Sequence, residues 1–198
     1  MKIGLYFGSF NPVHAGHLII ANHILNTEKI DKLWFVISPQ NPLKQTYSLL
    51  NEYHRMHLLN LAIGDDNRLK ASDIEFKLPK PSYTVDTLTY LAEKYPLHQF
   101  VIIMGSDSFQ NIEKWKNHQL LLDKYEILIY QRPGFEIFTH SDKHILLPDT
   151  PILEISATYI RSLIKAKKSF RFLVPDLVRE EIELNGYYLK DGSQKQAK

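Results

Sequence analysis

The sequence predicts an α/β fold, a doubly wound, mostly parallel sheet with helices on both faces. Three observations carry the prediction. Short apolar runs of strand length alternate with amphipathic runs of helix length along most of the 198 residues, which is the signature of βαβ units. Apolar residues make up 44% of the chain, enough for a sizeable core in one domain. The glycine, proline and polar breaks fall where the apolar runs stop, so the turns are marked as well as the elements. Residues 1–189 are expected to form a single domain, followed by a polar, disordered tail over residues 190–198.

The elements follow in order. Residues 2–7 read as a buried strand and residues 15–27 as a helix, with Leu18, Ile19, Ala21, Ile24 and Leu25 recurring near the 3.6 period. Residues 32–38 form a second strand, and a polar loop containing Pro39, Asn41 and Pro42 follows it. Residues 49–63 are amphipathic, with Met56, Leu59 and Ile63 on one side. Residues 69–76 read as a strand, with two prolines breaking the chain after it. A helix is expected over residues 82–95, closed by Pro96. The run 100–104 is a strand ending in Gly105-Ser106-Asp107, and 125–130 is another ending in Gln131-Arg132-Pro133-Gly134. Residues 145–147 and 152–155 read as short strands, and 158–167 and 176–185 as helices. In such a Rossmann-like sheet, ligands bind outside the carboxyl ends of the strands near the point where strand order reverses. The loops after residue 7, after residue 38, at Gly105 and at Arg132 all fall at that edge.

Composition excludes several classes. With 24 Lys and Arg against 22 Asp and Glu, the chain lacks the dominant basic surface of a nucleic-acid binder, so no nucleic-acid partner is expected. Cysteine is absent, which removes disulfides and thiolate zinc sites and fits a cytoplasmic setting. The first residues are a core-like strand rather than a leader, and no apolar run approaches the length needed to cross a bilayer. No membrane partner is expected. The oligomeric state stays open, a homo-oligomer included.

The run Gly8-Ser9-Phe10-Asn11-Pro12-Val13-His14-Ala15-Gly16-His17 carries the most chemistry. A strand enters a glycine turn, and two histidines three apart open a helix. Gly8 allows close backbone approach and a positive φ. Ser9 and Phe10 offer backbone N–H groups, and His14 and His17 share a helical face. A phosphate is the natural occupant of such a point. Neither imidazole has to act as a base, because a phosphate nucleophile is already an anion. Phosphoryl or nucleotidyl transfer asks for charge neutralisation and alignment.

A second anion site is expected at Ile155-Ser156-Ala157-Thr158-Tyr159-Ile160-Arg161. There Ser156 or Thr158 caps a helix, and Arg161 faces the same way one turn on. By residue type alone, Asp107 suits a helix cap at a strand–helix turn, and Arg132 a turn facing solvent. Lys44, Tyr83, Thr84 and Trp115 are candidates for a second substrate: a lysine that can reach a phosphate, a helix start beside an aromatic ring, and an indole in a stretch too polar for a plain core helix.

The first run resembles the H-x-G-H signature of the nucleotidyltransferase superfamily, in the form glycine-x-phenylalanine-acid-proline-x-histidine-x-glycine-histidine. It departs at Asn11, where many members carry Asp, so Asn11 is assigned no catalytic role. The second resembles the superfamily's isoleucine-serine-serine-threonine-x-isoleucine-arginine motif, with Ala157 replacing one serine. The Tyr83-Thr84-Val85-Asp86-Thr87-Leu88 string and Trp115 are similar to the nicotinate mononucleotide adenylyltransferase family of bacteria, over nearly the whole chain through Tyr187.

That resemblance implies transfer of AMP from ATP to nicotinate mononucleotide, giving deamido-NAD and pyrophosphate by direct in-line attack at the α-phosphate. His14, His17, Lys44 and Arg161 would be catalytic. ATP would be held by Gly8, Ser9, Phe10, His14, His17, Gly105, Asp107, Arg132, Ser156, Thr158 and Arg161. The mononucleotide would be held by Lys44, Tyr83, Thr84 and Trp115. Mg²⁺ would enter on the ATP phosphates with no dedicated protein ligand. The alternatives are a phosphopantetheine adenylyltransferase, an enzyme accepting both nicotinamide and nicotinate mononucleotides, a non-catalytic nucleotide sensor, and a metal hydrolase. The last is disfavoured because the histidine spacing lacks the i, i+4 pair of a helical zinc site.

Overall fold

A computed structural model describes residues 1–40, 49–137, 141–147 and 149–189. Six parallel strands form one sheet in the order β3-β2-β1-β4-β5-β6. They are β1 (Lys2–Gly8), β2 (Lys32–Ile37), β3 (Leu69–Ser72), β4 (Gln99–Gly105), β5 (Glu126–Tyr130) and β6 (His144–Leu147). Strand order reverses between β1 and β4, the place where a crevice opens in this class of sheet. The described residues also form seven α-helices: α1 (Ala15–Thr27), α2 (Glu52–Ile63), α3 (Thr84–Lys94), α4 (Ser106–Phe109), α5 (His118–Lys124), α6 (Ala157–Lys165) and α7 (Asp176–Asn185), with short 3₁₀ turns at Ile74–Lys77 and Ile112–Lys114.

Alternation along the strands divides the core in two. Leu33, Phe35 and Ile37 of β2, with Val101 and Ile103 of β4, face Ala21 and Ile24 of α1, Leu58 and Leu59 of α2, Ile160 of α6 and Ile182 of α7. The intervening Trp34, Val36, Ile102 and Met104 face Val85, Leu88 and Leu91 of α3 and Leu121 of α5. Both faces of the sheet are therefore covered, as near-continuous apolar strands require. Among the described residues no helix is long and apolar enough to cross a membrane.

Three expected elements differ from the structure. The strand at 69–76 stops at Ser72, and Ile74–Lys77 turn as a short 3₁₀ helix that directs Ile74 and Glu75 inward. The helix expected from residue 82 begins at Thr84, with Ser82 and Tyr83 outside it. Residues 152–155 form no strand. β6 is the last strand of the sheet, and the run 152–155 leads into α6 without pairing to it, leaving Ile152 61% exposed.

Candidate active site

The loop after β1 is shaped by its aromatic residue. Phe10 is buried against Tyr6, Phe35 and His17, with ring centroids 5.8, 5.4 and 5.0 Å away. A Cβ on Gly8 would come to 2.8 Å from the Phe10 ring, so glycine is required for close approach. The left-handed residue is Phe10 itself, at φ 44°, rather than Gly8. This corrects one of the two reasons the sequence suggested for that glycine.

His14 occupies the N-cap of α1 in extended conformation, and its ring stacks on His17 at 3.7 Å between centroids and 24° between planes. The His14 backbone N–H donates to His17 Nδ1 at 3.3 Å. Because Nδ1 accepts, a neutral His17 ring carries its proton on Nε2, a donor suited to an anion. His14 is buried. Burial, with a smaller contribution from the positive charge of Arg132, lowers its pKa from 6.5 to about 4. It is thus neutral at pH 7, and it binds a proton less readily than in the unfolded chain. Stability should therefore be full above pH ~6.5 and should fall as pH drops from ~6.5 toward ~4. Thermal melts across that range should show a shallower decline in His14→Gln than in the parent.

Arg161 joins the two ends of the chain. Its Nη1 donates to the Asn11 carbonyl at 2.7 Å across 150 positions, and its Nη2 donates to Thr158 Oγ1 at 3.2 Å. Ser156 caps α6 by accepting from the Tyr159 N–H at 3.2 Å. The two expected anion sites therefore meet at the loop that ends in His14. Asn11 ties this loop inward: its Oδ1 accepts from the Leu50 N–H at 3.1 Å. That bond needs an oxygen acceptor but no charge, so Asn can make it where many members of the superfamily that this loop resembles carry Asp.

Gly105, at the end of β4, lets Asp107 and Arg132 approach. A Cβ there would collide with the Asp107 carboxylate and with Arg132 Cδ. Arg132 Nε stands 3.9 Å from Asp107 Oδ2, and the Arg132 backbone N–H donates to the buried Ser106 hydroxyl at 2.9 Å. Beneath them, the Tyr6 hydroxyl donates to the Tyr130 hydroxyl at 3.0 Å.

A cavity of about 680 Å³ opens at the β1/β4 reversal. Gly8, Ser9, Gly105 and Asp107, expected on the nucleotide side, line it together with Tyr83, Thr84 and Trp115. A much smaller cleft, about 20 Å³, is lined by His14, Gly16, His17, Arg132 and Ile155. Tyr6 and Tyr130 line both. Two compartments thus share a wall, and the histidines stand on one side of it. Lys44 lies outside the described residues.

Two residues at this edge were not singled out in the sequence. Arg55 of α2 is fully buried. Its guanidinium donates to the carbonyls of Leu50 (2.8 Å), Ser9 (2.6 Å), Ser38 (2.9 Å) and Pro39 (3.3 Å). Burial lowers its pKa to about 10, which leaves it charged at neutral pH. Glu75 is 2% exposed. It accepts from the Ser82 hydroxyl at 2.5 Å and from the Thr87 hydroxyl at 2.9 Å. Burial pushes its carboxyl up, and the hydroxyls of Ser82, Thr87 and Ser38 pull it back.

The six-stranded parallel order, with the two expected anion loops joined through Arg161, is the arrangement of a nucleotide-handling class of enzyme. The model of the cytidylyltransferase-like family matches residues 5–163, and the chain belongs to that family of nucleotidyltransferases. A Cytophaga hutchinsonii protein named as a probable nicotinate-nucleotide adenylyltransferase is 51% identical over 189 residues, covering 95% of this chain and 98% of its own length. A Flavobacterium psychrophilum protein of the same name is 47% identical over 195 residues, covering 96% and 100%. Among solved structures, Plasmodium falciparum nicotinic acid mononucleotide adenylyltransferase complexed with NaAD matches with a TM-score of 0.80 at 21% identity, covering 94% of this chain and 97% of that one. At that identity the likeness concerns the fold.

Proposed function

We propose that this chain is a nicotinate-nucleotide adenylyltransferase, which transfers AMP from ATP to the phosphate of nicotinate mononucleotide and releases pyrophosphate. The observation that carries the reading is the bond from Arg161 to the Asn11 carbonyl. It brings a guanidinium, a helix-capping hydroxyl and two stacked imidazoles to one loop, beside a cavity large enough for a second nucleotide. The names of the close relatives supply the acceptor.

In this reading the mononucleotide phosphate attacks the α-phosphorus in line. The bond to the leaving pyrophosphate breaks as the new phosphoanhydride forms, and no covalent enzyme intermediate is needed. His14, neutral and buried, donates to the α-phosphate region. His17, Ser156, Thr158 and Arg161 hold the outer phosphates and stabilise the charge that develops on the leaving group. Ser9 and Phe10 contribute backbone N–H groups. Gly105, Asp107 and Arg132 bound the adenosine. Lys44 is proposed to add positive charge near the reacting phosphates. Mg²⁺ supplies further charge neutralisation when it arrives on the ATP oxygens. The cations and imidazoles present here suit phosphate oxygens rather than the metal, so phosphates and waters would be its ligands.

The acceptor's planar ring would stack on Trp115 or Tyr83, and its carboxylate would sit at the start of α3, where helix N–H groups lack intrahelical partners. Pyrophosphate release should be measured with ATP and nicotinate mononucleotide, nicotinamide mononucleotide or phosphopantetheine as acceptor. Preferential turnover of the nicotinate compound is the expected result. Turnover of phosphopantetheine alone, or ATP binding without pyrophosphate release, would defeat the proposal.

Trp115→Ala supplies a second test. Trp115 is half-buried on the cavity wall, so its loss should raise KM for the mononucleotide about tenfold, the scale of one lost aromatic stack, and spare KM for ATP. A fall in melting temperature with both KM values unchanged would make the tryptophan a packing residue only.

A further inference from the structure

We infer that Glu75 is a positioning residue for the acceptor: it fixes the start of α3 so that Tyr83 and Thr84 face the cavity in a binding geometry. The inference rests on the proposed acceptor site and adds to it a residue that takes no part in the chemistry.

The argument begins with cost. A carboxyl group removed from water is destabilising unless its oxygens are satisfied, and Glu75 is 2% exposed. It is retained on the wall of the large cavity beside Ser82, Tyr83 and Thr84. Its two oxygens take separate partners that straddle the helix start. Oε2 accepts from Ser82, just before the Tyr83 N-cap, and Oε1 accepts from Thr87, in the first turn. A single rigid group thus spans the N-cap from both sides.

Tyr83 itself supplies no side-chain cap. The first helical bonds back to the Tyr83 carbonyl come from the Asp86 and Thr87 N–H groups, at 3.0 and 3.1 Å. The Thr84 and Val85 N–H groups precede them, and their direction depends on how residues 82–84 are held. The 3₁₀ turn Ile74–Lys77, set directly after β3, delivers Glu75 to this place. Satisfied by hydroxyls on both oxygens, Glu75 is a brace. It is not needed as a base, since the attacking phosphate is already anionic.

The test uses steady-state kinetics of the full chain. Glu75→Ala should raise KM for nicotinate mononucleotide about tenfold, the scale expected when one or two hydrogen bonds are lost. KM for ATP and kcat at saturating acceptor should stay within about twofold, and the ratio of nicotinate to nicotinamide mononucleotide turnover should fall. Glu75→Gln, which keeps the shape and one acceptor oxygen, should recover most of the loss. Equal rises in both KM values, a drop in kcat with KM unchanged, or a change in melting temperature alone would overturn the inference. Should Glu75→Ala fail to fold, Ser82→Ala and Thr87→Val remove the same two bonds singly and carry the same expectations on a smaller scale. If the parent protein does not use nicotinate mononucleotide at all, the functional reading itself fails. If the parent does and these variants match it, only the role of Glu75 fails.

Discussion

His17→Ala should lower kcat by roughly 100- to 1000-fold, the range seen when one preorganised donor to a developing negative charge is removed. The expectation follows from how the ring is held. Its Nδ1 accepts from the His14 N–H, so the orientation of Nε2 is set by α1 rather than by substrate. The ring stands edge-on to Phe10 and Tyr6, which restricts its rotation. Donors fixed before the reaction need no reorganisation as pyrophosphate leaves. The same ring is only half-buried, so its loss should cost a typical ~1 kcal/mol and roughly 2–4 °C in melting temperature. His17→Gln, which restores a donor at similar reach, should regain part of the rate. A variant with kcat near that of the parent would remove His17 from the phosphate site, and the meeting of the two signatures would need another explanation.

How much of this was legible beforehand differs by element. The parallel sheet was legible because βαβ alternation leaves few topologies open. The tight loop from Gly8 into α1, with His14 and His17 on one face, was legible because its spacing is dense and local. Arg161 was legible as a partner of Thr158, but its bond to Asn11 is a tertiary contact across the whole chain.

Arg55 and Glu75 were missed for a common reason. A charged residue in an amphipathic helix or a short strand reads as solvent-facing. Yet Arg55 stands three and four positions before the buried Leu58 and Leu59, on their stripe. Helical periodicity alone could therefore have flagged it as an inward charge. Glu75 left no comparable signal, since its burial depends on β3 ending early at Ser72. The absent strand at 152–155 shows the converse. Apolar composition favours a strand, but a strand also needs a partner in register, and this run does not pair with the outer edge of β6.

Arg55→Met should be the most destabilising single change at this edge, with effects on both fold and activity. Methionine matches the length of the stem but leaves the carbonyls of Ser9, Ser38, Pro39 and Leu50 without the donors that now satisfy them. A fully buried carbonyl so orphaned costs about 1–3 kcal/mol and a partly buried one less; the bond to Pro39 is buried and the other three are partly buried. Removing a buried charge returns part of that, so a net loss of about 3 kcal/mol, or roughly 6–12 °C in melting temperature, is expected. The four carbonyls also say what the loss would do to catalysis. Ser9 belongs to the loop after β1, while Ser38, Pro39 and Leu50 flank the segment that carries Lys44. One guanidinium therefore ties the loop after β1 to both ends of that segment, and under the proposed function its removal should raise both KM values and lower kcat even below the melting transition. Arg55→Lys keeps the charge without the planar fork and should fall between the two. Urea denaturation paired with kinetics at a temperature where each variant is folded would separate the effects. An Arg55→Met protein as stable and active as the parent would mean that these carbonyls find other donors, and that the two loops are placed independently.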